Sequence, residues 1–270
     1  MTWRPINPAH AIERVRLIVQ YKQELSEKLI GQIVSKIDAI KGDARLEGPT
    51  PLPGVKLNFT VTPNGEQQFS APQLPSKAWS YVRYSTARQP LEIFNIQGSQ
   101  LIYETGEYRR WHVFVQRLNK VVSPSLELAE NSLDTDLIAL EYYDRFFFDG
   151  EVRDASPTGL VAAICGALPP DAVDNAKLWH LHRGWFESCD LGDVLINQNC
   201  DALDAIPPGK ETEVRTLGIL TRAEFRHANY PVSKFDSGAL IEKLHEVTNS
   251  TFMNVLNPEI LPMIGVGPNS

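Results

Sequence analysis

With 270 residues, 43% hydrophobic and 22% charged, the chain has enough apolar material for one large core or two intimate halves. Its formal net charge of -7 argues against an extensive nucleic-acid footprint, which relies on clustered Lys and Arg. No apolar run approaches the roughly 20 residues that cross a bilayer, and the start MTWRPINPAH lacks the basic-then-apolar pattern of a secretory signal, so a cytosolic location is expected.

In chain order, Ala11 to Tyr21 comes first, where Val15, Leu17 and Val19 alternate with Arg16 and Gln20, the period of a half-buried strand. Ser26 is a fitting N-cap for a helix over Glu27 to Ile40, whose Leu29, Ile30, Ile33, Val34 and Ile37 share one face and which Gly42 is placed to end. The prolines of Gly48-Pro49-Thr50-Pro51-Leu52-Pro53-Gly54 forbid a helix and favour an extended connection. Strands are expected at Val55 to Thr62, Trp79 to Ser85, Leu91 to Ile96 and Leu101 to Thr105, with turns at Pro63-Asn64-Gly65 and Gly98-Ser99. From Tyr108 a second amphipathic helix carries Trp111, Phe114, Val115, Leu118 and Val122, and Ser123-Pro124 should end it.

Leu137 to Phe148 opens a second series as an aromatic-rich strand stopped by Asp149-Gly150. Ser156 and Pro157 sit as N-cap and first residue of a helix expected over Pro157 to Leu168. Strands follow at Leu178 to Ser188, Val194 to Ala202 and Glu213 to His227, with Pro207-Pro208-Gly209-Lys210 as an exposed loop. Asp236 or Ser237 then caps a helix bearing Leu240, Ile241, Leu244, Val247 and Phe252. The order strand, helix, three or four strands, helix therefore occurs twice, offset by about half the chain. The expected fold is α+β, with two pseudo-repeats, 1–130 and 131–270, whose antiparallel sheets are backed by helices in a helix-grip or saddle-like body.

Three stretches carry chemistry. In Trp179-His180-Leu181-His182-Arg183-Gly184-Trp185, strand alternation sets His180 and His182 side by side, where they could ligate zinc or manganese or simply face solvent. Arg222, Glu224 and Arg226 alternate along one strand face, as a recognition surface or as ordinary cross-strand ion pairs. Tyr142, Asp144 and Arg145 lie in the aromatic strand, where a charge is expensive unless paired, and alternation puts Asp144 and Arg145 on opposite faces. These six residues are the candidates for a ligand groove. The odd set Cys165, Cys189 and Cys200, with no C-x-x-C pair, fits reduced thiols. No phosphate loop, dinucleotide fingerprint, nucleophile elbow or H-E-x-x-H helix occurs.

Pro5-Ile6-Asn7-Pro8 before an Ala-Ile-Glu strand, Tyr108-Arg109-Arg110-Trp111-His112-Val113-Phe114 opening a helix, and Tyr142-Tyr143-Asp144-Arg145 ending a strand together resemble a sporadically distributed bacterial family of uncharacterised proteins. The usual forms there are Pro-Ile-x-Glu-Ala, aromatic-x-x-Trp-x-x-Phe and Arg-Tyr-x-Asn-Arg. This chain departs from them with His10-Ala11, with Glu141 for the first arginine and with Asp144 for asparagine. The resemblance implies a bacterial cytosolic protein of scattered occurrence, of the kind found in accessory and defence systems, and supplies no catalytic residue.

The functional expectation is a non-enzymatic binding or regulatory component, needing no cofactor, that recognises a partner protein, such as one encoded by a neighbouring gene, or a small ligand. A second copy of the chain is a further candidate partner, and no membrane partner is expected. The alternatives are a metal-dependent hydrolase of nucleic acid or nucleotides, using His180 and His182, and a nucleic-acid binder.

Overall fold

The computed structural model describes residues 2–52, 54–55, 58–61, 67–70, 73–74, 78–162, 168, 178–206, 211–226 and 236–265, with side chains for those outside 53–77. The fold is α+β, and ten of its strands belong to an antiparallel sheet. Two compact units are discernible. The first comprises residues 1–18, 104–109 and 136–270, and the second 19–103 and 110–135.

In the second unit, α1 (Glu27–Ala44) begins as its sequence dictates, with the Ser26 hydroxyl accepting from the Leu29 amide at 3.2 Å. It buries Leu29, Ile30, Ile33 and Ile37, while Val34 is half-buried. Gly42 does not end it. The helix runs on to Ala44, and Arg45 takes the left-handed cap with φ 56°. The extended proline stretch forms β3 (Glu47–Pro51), the terminal strand of an order that continues through β8 (Ala78–Tyr84), β9 (Pro90–Gln97) and β10 (Gln100–Thr105) to the end of β2 (Ile12–Tyr21). Proline is tolerated there because a terminal strand need not donate on its outer side. Short pairs join β4 (Gly54–Val55) to β7 (Gln73–Leu74) and β5 (Asn58–Val61) to β6 (Gln67–Ser70). The turn expected at Pro63 to Gly65 lies outside the described residues, whereas Gly98 turns between β9 and β10 with φ 55°.

The helix after Tyr108 is two helices, α2 (Trp111–Val121) and α3 (Ser123–Glu130). Ser123-Pro124 was expected to stop the chain's helical course; instead proline occupies the first turn of α3, where it forfeits no hydrogen bond. Between these helices and the strands lies Glu92, only 1% exposed, which accepts from Arg83 at 2.9 Å and from Arg117 at 2.9 and 3.0 Å. Arg117 also donates to the Ala44 carbonyl at 2.6 Å. A buried carboxylate held by two guanidinium groups is a satisfied network.

The first unit is built on β11 (Thr135–Asp149), β12 (Trp179–Cys189), β13 (Gly192–Ala205) and β14 (Val214–Arg226), in the order β12-β13-β14-β11, followed by the start of β2; β1 (Thr2–Pro5) also pairs with β11. α4 (Ser237–Val255) packs against β14. Its cap is Asp236, whose carboxylate accepts from Ala239 at 3.1 Å, and all five of its expected apolar positions are buried. The helix expected from Pro157 is not observed over the described part. Pro157–Gly159 is a single 3-10 turn, Val161 bridges Leu256, and Asn257 donates to the Thr158 carbonyl at 2.5 Å. These bonds to the end of α4 replace the intrahelical ones; residues 163–167 fall outside the described set. Trp3, Phe146, Phe148, Leu160, Leu217, Ile219 and Phe252 form the core, with the Trp3 indole donating to the Ser156 carbonyl at 2.8 Å. Cys200 is buried there and Cys189 is half-buried; neither forms a disulfide among the described residues, and Cys165 lies outside them.

Candidate functional site

Strand alternation and register define one face of the first unit row by row. His180, Asp201, Gly218 and Arg145 stand opposite one another across β12, β13, β14 and β11. The next row is His182, Asn199, Leu220 and Tyr143; then Gly184, Asn197, Arg222 and Glu141; then Phe186, Leu195, Glu224 and Ala139. A side chain directly opposite another points to the same side of the sheet, so these residues share a face. The other face carries Ile196, Cys200, Ala202, Leu217, Ile219, Ala223 and Phe225, all buried on the side of α4. The first face carries Arg222, Glu224 and Arg226 of β14 together with Glu141 and Arg145, and it is the open one, as the exposure of His180, His182 and Arg226 records.

A line of alternating charge crosses it. Arg16 bonds the Glu104 carboxylate, with its Nε 2.7 Å away, and reaches Glu141 at 3.4 Å. Glu141 also accepts from Arg222 at 2.6 Å, Arg222 donates to Glu224 at 2.7 Å, and Arg226 donates to the other oxygen of Glu224 at 2.6 Å. The arginines shield the acids: Glu224 is 2% exposed while Arg226 is 54% exposed. Each guanidinium offers planar paired donors and each carboxylate two acceptors, so the chain of pairs closes without stranding a charge.

A second cluster sits one row away. Arg145 donates to Glu13 at 2.8 Å and to the Thr216 hydroxyl at 3.1 Å, hydrogen-bonds the Tyr143 hydroxyl and lies over the Tyr143 ring, which Arg14 approaches at 5.2 Å. Asp201 and Tyr143 lean over Gly218, where an added Cβ would stand 2.7 Å from both the Asp201 Oδ1 and the Tyr143 hydroxyl. A side chain at this position would force one of the two polar ends to move. Burial raises the Asp201 pKa, with Arg145 and His180 acting against it, and its Oδ1 is buried without a hydrogen-bond partner.

Of the residues singled out from sequence, Arg145, Arg222, Glu224, Arg226, His180 and His182 are brought to this face. Tyr142 and Asp144 are not: their side chains point to the α4 side and are buried. The Tyr142 hydroxyl meets His245 Nδ1 on α4 at 3.0 Å, and burial, reinforced by Tyr108, pushes the phenol well above its usual pKa. Asp144 is 1% exposed with Oδ1 unpartnered, and burial raises its pKa well above the carboxylate range, so it is held protonated. Arg16, Glu104, Glu13, Tyr143, Asp201 and His245 completed these clusters without being singled out. The alternation of Glu141, Tyr143 and Arg145 is visible in sequence, but their partners depend on register.

His245 yields a prediction. Burial lowers its pKa from 6.5 to about 4, so it stays neutral when folded but takes a proton below pH 6.5 when unfolded. Its contribution to stability is whole above pH 6.5 and is lost as pH falls toward 4, by about 2 kcal/mol once its partial exposure is allowed for. In urea titrations, His245→Asn should show a correspondingly shallower loss across that window than the parent chain; identical slopes would refute the assignment.

His182 hydrogen-bonds Asn199, and His180 faces Asp201. Among the described residues no group of three or more His, Cys, Asp or Glu side chains is arranged to hold a metal ion. No described helix is long and apolar enough to cross a membrane. No protein-family model and no curated protein matches the chain.

Proposed function

We propose that this chain is a non-enzymatic binding component of a bacterial accessory system, and that the open sheet face receives a partner protein. The observation that carries the reading is the charged line from Glu104 to Arg226. Its side chains are fixed against one another before any partner arrives, so little rotamer entropy is left to lose on docking. Exposed Phe186 and Leu203 add apolar contact on the same face, the pairing of aromatic and arginine side chains typical of interface centres. The two series of elements, 1–130 and 131–270, are read as pseudo-repeats of one α+β unit.

The test is affinity capture from extract of the source cell, quantified for the parent chain and for Arg222→Glu/Arg226→Glu, with folding checked by thermal melt. The reading expects one stoichiometric protein retained by the parent and lost by the folded variant; equal recovery would refute it. A metal-dependent hydrolase is the second reading, favoured by His180 standing opposite Asp201 with His182 on the same exposed face. Zinc or manganese that copurifies stoichiometrically with the untagged chain and disappears in His180→Ala/His182→Ala would replace the first reading with this one.

A further inference from the structure

We infer that two copies of this chain pair edge to edge through β12, antiparallel about a two-fold axis at Trp185. This inference stands apart from the open-face reading. Among the described residues β12 is the terminal strand of its order; it is eleven residues long and contains neither proline nor lysine, the residues that commonly blunt an exposed edge. Its α4-side row is unfinished. Trp179, Leu181 and Trp185 are only half-buried, whereas their β13 neighbours Ala202, Cys200 and Ile196 are 3%, 1% and 0% exposed. A further strand laid along β12 would continue the sheet and cover that row.

The strand's own sequence selects a second copy as that strand. Along a terminal strand only alternate residues direct N–H and C=O outward, so a two-fold axis between identical antiparallel strands must pass through a residue. With the axis at Trp185, Arg183 stands opposite the partner's Glu187, and Trp185 meets its own counterpart. Gly184 stands opposite the partner's Phe186, whose ring is 61% exposed within one chain and would cover the bare glycine backbone. The Arg183–Glu187 and Gly184–Phe186 pairings each occur twice by symmetry, and the Trp185 pair once. An axis one residue earlier sets Leu181 opposite Glu187 and loses the charge match.

Sedimentation velocity on the full chain over a wide dilution series tests this. A concentration-dependent dimer is expected. Glu187→Arg places arginine opposite Arg183 in both pairs and should weaken dimerisation at least about tenfold, since about 1.4 kcal/mol corresponds to a factor of ten. Phe186→Asp, at a position exposed within one chain, should weaken it likewise while leaving the thermal melt of the monomer intact. A parent chain that stays monomeric throughout, or either variant dimerising as tightly as the parent, overturns the proposal.

Discussion

Glu224→Ala is expected to destabilise the chain by about 3 kcal/mol in denaturant titrations at pH 7, because it removes the shared acceptor of two arginines from a site only 2% exposed. Arg222 would keep Glu141 as its carboxylate in the charged line, and Arg226 would lose the carboxylate it holds there. Arg226→Ala, by contrast, removes a side chain that is 54% exposed and should cost less than about 1 kcal/mol. The two changes delete opposite ends of one ion pair, so the difference between their costs measures how far burial makes Glu224 the keystone of the line. Comparable losses for both would mean that the line is an ordinary solvated set of pairs. Loss of the partner in Arg226→Ala with stability retained would locate recognition in the exposed guanidinium.

Asp144→Asn is expected to alter the pH dependence of stability in the opposite sense from His245. The folded chain holds the Asp144 proton above 3.8, the ordinary carboxyl value, whereas the unfolded chain releases it there. Its favourable contribution is therefore complete below pH 3.8 and is lost as pH rises toward the folded pKa, at up to about 1.4 kcal/mol per pH unit. Asparagine is neutral throughout. The variant should match the parent near pH 4 and gain on it progressively toward pH 8, because only the parent must either hold or release a buried proton. Parallel stability curves from pH 4 to 8 would contradict a protonated, unpaired Asp144. Tyr142 and His245 lie on the same side of the sheet, so this buried polar strip gives the α4 packing acid-stabilised and acid-labile contributions together.

Most elements were legible because their information is local. Ser26 and Asp236 cap their helices through side chains three residues from the amide they satisfy, and the apolar stripe of α4 needs only its own spacing. The failures arise where a distant segment decides. Pro157 begins a 3-10 turn because Leu160 and Val161 are tied to residues 256 and 257, and Ser123-Pro124 starts α3 where a stop was expected. The site divides the same way. Alternation alone put Asp144 and Arg145 on opposite faces and Arg222, Glu224 and Arg226 on one. That Glu141 lies beside Arg222, or Asp201 beside Gly218, depends on which strands neighbour each other and on their register. Period-two patterning fixes a side chain's face but not its cross-strand neighbour.

The central claim is that the open face of the first unit is where a partner protein binds. It is tested most directly by titrating the captured partner against the purified chain and against Asn197→Arg, which sets a bulky charge midway across the face, next to Arg222. The account predicts at least about tenfold weaker binding with an unchanged thermal melt. Equal affinity for the two chains would contradict it.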